Sequence, residues 1–202
     1  MKLGLIVEGH GDVEALPILV RRLTSQLGLA PSLDIPRPLR LPRGKILKEL
    51  ELRRAVELMA RKTNPDGAIL VVCDADDDCP AEVGPQLLAW AEDARRDRDV
   101  AVVLAKFEVE AWFLAAAGSL RGERGLPEDV EPPADPEGVR DAKGWLHRRL
   151  PNGYSETIDE PALAALVDLT SARAAPSFEK LVRDLTRILG GERRGRGRAA
   201  RP

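Results

Sequence analysis

Leu3-Gly4-Leu5-Ile6-Val7 is a short unbroken apolar run that stops abruptly at Glu8-Gly9-His10-Gly11. A strand covered on both faces needs such a run, and the glycines after it suit a turn. Asp12 then stands where a helix cap belongs. Val13, Leu16, Leu19, Val20 and Leu23 recur at helical spacing until Gly28 stops the pattern. Pro36 to Leu41 reads as a weaker strand, and its two prolines suit a sheet edge. Lys45 to Lys62 reads as one amphipathic helix through Ile46, Leu47, Leu50, Val56 and Leu58, broken by the turn cluster Asn64-Pro65-Asp66-Gly67.

The clearest strand follows. Ala68-Ile69-Leu70-Val71-Val72-Cys73 is uniformly apolar and ends in Asp74-Ala75-Asp76-Asp77-Asp78. A helix over about 81–96 and a strand over Val100 to Ala105 complete the alternation. Strand and helix alternating in this way predict an α/β fold, a Rossmann-like, mostly parallel four-stranded sheet flanked by helices. After Ala105 the texture changes. Glu110 to Ala117 is helical, 121–139 is acidic and rich in proline, and three helical patterns follow near 140–150, 160–173 and 177–189. Ser177 is the expected cap of the last, whose Phe178, Leu181, Val182, Leu185, Ile188 and Leu189 form one apolar stripe. The expected organisation is an α/β core over 1–118, a loop over 119–139, a helical extension over 140–190 packed on that core, and an Arg/Gly-rich tail over 191–202. The tail is too poor in apolar residues to offset its ordering entropy, so disorder is expected.

Composition narrows the function classes. A charged fraction of 32% exceeds the usual quarter and predicts a densely ionic, soluble surface. Aromatic residues make up only 3%, which excludes a sheet of base-stacking platforms. The net charge is −2 although residues 190–202 hold five Arg and one Glu, so the body is acidic and is no general nucleic-acid sponge. Any phosphate contact must come from a local patch, a metal, the tail or a partner. The first apolar run is too short for an export signal and no later run approaches a membrane span, so a cytoplasmic protein is expected. Cys73 and Cys79 are then free thiols. A zinc site would have to recruit His10 or His147 at spacings that match no common pattern.

In open parallel sheets ligands bind beyond the carboxyl ends of the strands, and acids stand there twice, Glu8 after the first strand and Asp74 and Asp76 after the third. Two carboxylates two residues apart on extended chain project to one side and suit a shared hard cation, Mg²⁺ or Mn²⁺. Glu8 is a further ligand or the general base, and both roles stay open. Asp77 and Asp78 are second-choice ligands or helix caps. Glu108 and Glu110 lie beyond the fourth strand, as ligands of a second metal or as the charged first turn of a helix. Lys106 meets a phosphate or pairs with Glu110. Arg140, Lys143 and His147 share one helix face, as a substrate-backbone contact or a solvated row. Trp112 and Phe113 read as core, Tyr154 as part of a turn, and Cys73 as a buried strand residue.

Val7-Glu8-Gly9-His10-Gly11-Asp12-Val13-Glu14-Ala15-Leu16 resembles the first Toprim motif in the form found in bacterial primases, and Val72-Cys73-Asp74-Ala75-Asp76 resembles the second. That resemblance implies a Toprim-like core in which Glu8 acts as acid or base and Asp74 and Asp76 bind Mg²⁺. No primase or topoisomerase module accompanies it. Over about residues 1 to 190, including Ala105 to Leu114 and Gly153-Tyr154-Ser155, the chain resembles the bacterial family of domain of unknown function 4276. This implies an ABC-type or AAA-type ATPase partner of the kind found in phage-defence systems. The expected function is a Mg²⁺-dependent nuclease acting on DNA or RNA. A non-catalytic adaptor of that ATPase and a phosphotransfer enzyme for small nucleotides are the rivals, and a homodimer is kept open.

Overall fold

The computed structural model describes residues 1–63 and 65–190; the tail over 191–202, expected to be disordered, lies outside them. The chain runs β1 (Leu3–Val7), α1 (Asp12–Gln26), β2 (Leu39–Arg40), α2 (Arg43–Ile46), α3 (Glu49–Lys62), β3 (Ala68–Asp74), α4 (Pro80–Ala94) and β4 (Asp99–Ala105). It continues through α5 (Ala111–Ala115), three 3₁₀ turns, α6 (Ala142–His147), α7 (Asp159–Leu166), α8 (Leu169–Ala172) and α9 (Pro176–Leu189). The four strands form one parallel sheet in the order β2-β1-β3-β4. This is the α/β architecture that the alternating pattern predicts, and β2, only two residues long, takes the edge that Pro36 and Pro38 favour.

Period-two alternation assigns each strand residue to a face. Leu3, Leu5, Val7, Leu70, Val72 and Val103 point towards α1 and the C-terminal helices, while Ile6, Ile69, Val71, Val100 and Val102 point towards α3 and α4. The first cluster also takes in Leu126 and Val130 of the acidic loop, Trp145 and Leu146 of α6, Leu163 of α7 and the α9 stripe. The second half of the chain therefore shares a core with the first. Helix α9 packs on β4, the other sheet edge. Lys180 Nζ donates to the Val102 carbonyl at 2.8 Å and Arg187 to the Val100 carbonyl at 2.9 Å, so side chains satisfy edge carbonyls that would otherwise invite another strand.

Three local expectations are corrected. The helix expected over Lys45 to Lys62 breaks at Lys48, whose backbone is extended. Ile46, Leu52, Val56 and Met59 face inward, whereas Leu50 and Leu58 are 59% and 44% exposed, so the inward stripe runs in a different phase from the one the pattern suggests. The pattern over 160–173 divides into α7 and α8 around Val167 and Asp168. Ser177 does not cap α9, whose cap position is Ala175. Its hydroxyl accepts from Trp112 Nε1 at 2.7 Å and donates to the Glu137 carboxylate, which also accepts from Ser177 N at 2.8 Å. A buried polar knot thus ties the acidic loop to α5 and α9.

Candidate functional site

Beyond the carboxyl ends of β1, β3 and β4 lies a cleft of about 230 Å³ lined by Glu8, Asp12, Asp74, Glu110, Lys143 and Glu160, with Arg40 and Glu156 also on its wall. Three pieces of chain meet there. The strand ends supply Glu8 and Asp74, the loop after β4 supplies Glu110, and the helical extension supplies Lys143, Glu156 and Glu160. Asp74 Oδ1 accepts from Val109 N at 2.8 Å, and its own N–H donates to Glu8 Oε2 at 3.2 Å. Glu110 Oε1 accepts from the Tyr154 hydroxyl at 2.9 Å. Lys143 Nζ stands 3.2 Å from Glu156, 3.6 Å from Asp74 and 4.0 Å from Glu110. Glu108 faces elsewhere and accepts from Lys143 N at 2.8 Å, fixing the start of α6 against the loop.

The carboxylates outnumber the cations, and burial magnifies the conflict. Burial raises the Asp74 carboxyl well above its usual value, with the Glu110 charge adding to it and Lys143 opposing. Glu110, 2% exposed, is pushed up to about 7 by burial against the attraction of Lys143. Burial, then the charge of Asp12, lifts Glu160 to about 11. Glu8 and Asp12 are raised as well, both chiefly by burial. Lys143 is held well above its usual value because Glu110, Asp74 and Glu156 together outweigh the burial that opposes its charge. Glu160 Oε1 is buried without a hydrogen-bond partner, and Glu160 stands within hydrogen-bonding reach of Asp12, where a proton kept on Glu160 is shared between the two carboxyls.

A carboxyl raised on folding gives up its proton more readily in the unfolded chain. Its contribution to stability is complete below the ordinary Glu value of 4.5 and lost as pH rises through the folded value, about 7 for Glu110. A shift of that size corresponds to roughly 3 kcal/mol. The melting temperature is therefore expected to fall by roughly 5–10 °C between about pH 5 and pH 8. Glu110→Gln, which can still accept from Tyr154, should lessen that fall in a fluorimetric melt series, with Asp74 and Glu160 supplying what remains. An equally steep fall in the variant would show that Glu110 is not its source.

Glu8, Asp74, Glu110 and Lys143 are thus brought together, and the other predicted site residues are not. The chain is not extended past Asp74, because Asp76 adopts a left-handed conformation with φ of 47° and bridges to Phe107, itself at 57°. The same-side projection expected of Asp74 and Asp76 fails for that reason. The Asp76 side chain, 58% exposed, lies 2.9 Å from Arg43 Nε, although its charge still raises Glu8. Arg43 also pairs with Asp78 and donates to the carbonyls of Asp74 at 2.6 Å and Ala75 at 3.0 Å, clamping the turn after β3. Asp77 pairs with Arg140. Lys106 and Arg140 rest against the Phe107 ring. His147 accepts from Tyr154 N at 3.1 Å. Asp12 is no cap in the expected sense; it opens α1, accepts from Gly9 N at 2.7 Å and lines the cleft.

The matched family is the domain of unknown function DUF4276, over residues 7–186. The chain belongs to the DUF4276 family. No curated protein and no solved structure matches it. In this DUF4276 chain the cleft draws on residues from Glu8 to Glu160, so the matched span holds all of its acidic lining.

Sequence reasoning missed Arg43, Glu156 and Glu160 and read Tyr154 as part of a turn. No local spacing links these residues to Glu8 or Asp74, although Glu156 and Glu160, four apart at the entry to α7, share a helical phase. For a divalent cation the donors fit in kind, being all-oxygen, partly buried and short of positive charge. Among the described residues no group of three or more His, Cys, Asp or Glu side chains is set to hold a metal ion, and the Lys143 ammonium takes the central position. Among the described residues no helix is long and apolar enough to cross a membrane.

Proposed function

We propose that this DUF4276 chain is a metal-dependent phosphodiesterase of the Toprim class that hydrolyses DNA or RNA. The observation that carries the reading is the convergence of Asp74, Glu110 and Glu156 on a single ammonium, with Glu8 on the same cleft, at the carboxyl ends of three parallel strands. Buried carboxylates in excess of cations make a cleft that gains by taking up Mg²⁺ or Mn²⁺. Asp74, with Glu8 or Glu110 beside it, would hold such an ion, which supplies charge for a phosphoryl oxygen and a more acidic bound water. Asp76 and Asp78 are the outer candidates, each now engaged by Arg43.

The chain's own groups divide the remaining work. Glu8, oriented by the Asp74 N–H and raised chiefly by burial, is suited to accept a proton from the attacking water. Lys143, held protonated, offsets charge on the phosphate and hydrogen-bonds the departing oxygen, which takes its proton from solvent. Glu110 and Glu156 aim that ammonium, and the Tyr154 hydroxyl aims Glu110. Arg40 on the cleft wall and Lys106 and Arg140 beside Phe107 are the groups for backbone phosphates.

An ATPase partner belongs to the proposal through membership of the DUF4276 family, with defence against mobile elements as its setting. The apolar stripe of α9, in the helical half through which the adaptor reading would dock that partner, is buried in the chain's own core. The test is cleavage of plasmid, single-stranded DNA and structured RNA by the purified protein in Mg²⁺ or Mn²⁺, against EDTA. Cutting that requires the cation is expected. Absence of cutting in every arm, with and without the ATPase, would overturn the reading.

A further inference from the structure

Phe107 is the aromatic side chain that the fold leaves unused. Of the seven aromatics, Trp112, Phe113, Trp145 and Phe178 are core, and Tyr154 and Trp90 pack against core; Phe107 belongs to neither cluster. It is partly exposed, and its φ of 57° is one that a bulky L-residue rarely adopts. Strain of this kind persists where surrounding contacts dictate it, and here they are specific. Asp76 N donates to the Phe107 carbonyl at 3.1 Å, and two residues further on Val109 N holds the Asp74 carboxylate at 2.8 Å. The backbone that carries the ring is therefore tied to the central acid of the cleft. Two cations attend it, Lys106 Nζ at 4.5 Å and the Arg140 guanidinium carbon at 5.0 Å from the centroid.

We propose that Phe107, with Lys106 and Arg140, is a seat for one unpaired nucleobase and its flanking phosphates, which makes single-stranded nucleic acid the substrate of the cleft. The inference deepens the phosphodiesterase reading and rests on it. A partly exposed ring offers a π-face to a base, and in a duplex the base's own faces are already covered by neighbouring base pairs. Both cations sit on long stems, so a base arriving on the ring shifts them onto the phosphates on either side, as expected of a stacking platform with an electrostatic border. The scarcity of aromatics argues against a platform of several rings, and one seat needs only one.

The test is fluorescence anisotropy of labelled short strands with the full chain in Ca²⁺, comparing single-stranded DNA, single-stranded RNA, blunt duplex and a strand carrying abasic sites. Wild type is expected to bind the intact strand about tenfold more tightly than the abasic one. Phe107→Ala should lose that factor on the intact strand and nothing on the abasic strand, while Phe107→Trp should keep it. Melting curves of both variants report folding, and the tighter of the DNA and RNA arms names the sugar. Equal affinity for intact and abasic strands, equal losses in Phe107→Ala on both, or preference for duplex would each overturn the seat. Hydrolysis of bis(p-nitrophenyl) phosphate by wild type separates the two levels. Metal-dependent turnover without base-dependent binding overturns the seat and leaves the phosphodiesterase standing, and loss of both overturns both.

Discussion

Asp74→Asn is expected to cut metal-dependent cleavage by roughly 10³-fold, about 4 kcal/mol of transition-state stabilisation, while leaving the protein as stable as wild type or more so. Asn keeps the oxygen that accepts from Val109 N, so the strand end stays in place. What is lost is the charge, which faces Lys143 and which burial and Glu110 disfavour in the folded state. A group that costs stability and carries activity gives opposite signs in the two measurements. Asp76→Asn should behave differently. Its carboxylate is exposed and engaged by Arg43, and Asn accepts a left-handed backbone readily, so a loss of about tenfold or less is expected with little change in melting. Initial rates on one substrate beside thermal melts of the same preparations decide the matter. Equal damage from both substitutions would mean that Asp76 leaves Arg43 and enters the cleft when the enzyme works.

That contrast marks where sequence reading stops. The apolar runs of β1, β3 and β4 are legible because a strand buried on both faces admits almost no polar residue, and the acids that end them are legible because the runs end there. The inference from Asp74 to Asp76 assumes that the extended backbone continues, and one left-handed residue defeats it. Helix phase is fragile in the same way, since a single extended residue at Lys48 decouples α2 from α3 and exposes Leu50 and Leu58. Ser177 has the composition of a cap, and a buried Glu137 claims it through contacts 40 residues apart. Lys143 was legible only as one of a row on a helix. The carboxylates that give it a role, Asp74, Glu110 and Glu156, come from three separate pieces of chain, and no periodicity records such a meeting.

The glycine motif after β1 is the instructive case, and Gly11→Ala is expected to destabilise the protein by about 3 kcal/mol, at the upper end of what overpacking usually costs. The glycines of Glu8-Gly9-His10-Gly11 suggest backbone kept bare for a ligand. At Gly11 the close neighbour is the protein itself. A methyl group there would lie 2.0 Å from Glu160 Oε2 and 2.4 Å from the Glu156 carbonyl oxygen, and the backbone at Gly11 is otherwise ordinary, with φ of −66°. The Glu160 side chain can retreat. The Glu156 carbonyl cannot move without carrying the entry to α7, which packs along α1. Relief of the clash therefore means lifting the extension and, with it, Glu156 and Glu160 from the cleft. Adding Glu160→Ala to Gly11→Ala should recover only part of the stability, because the backbone contact remains. Gly9→Ala is a milder control, its new methyl meeting Asp12 Oδ2 at 3.1 Å. Thermal melts with limited proteolysis over 140–190 test the set. A Gly11→Ala variant that melts with wild type and resists the protease equally would show that the helical extension does not close on the glycine motif, and would remove Glu156 and Glu160 from the site.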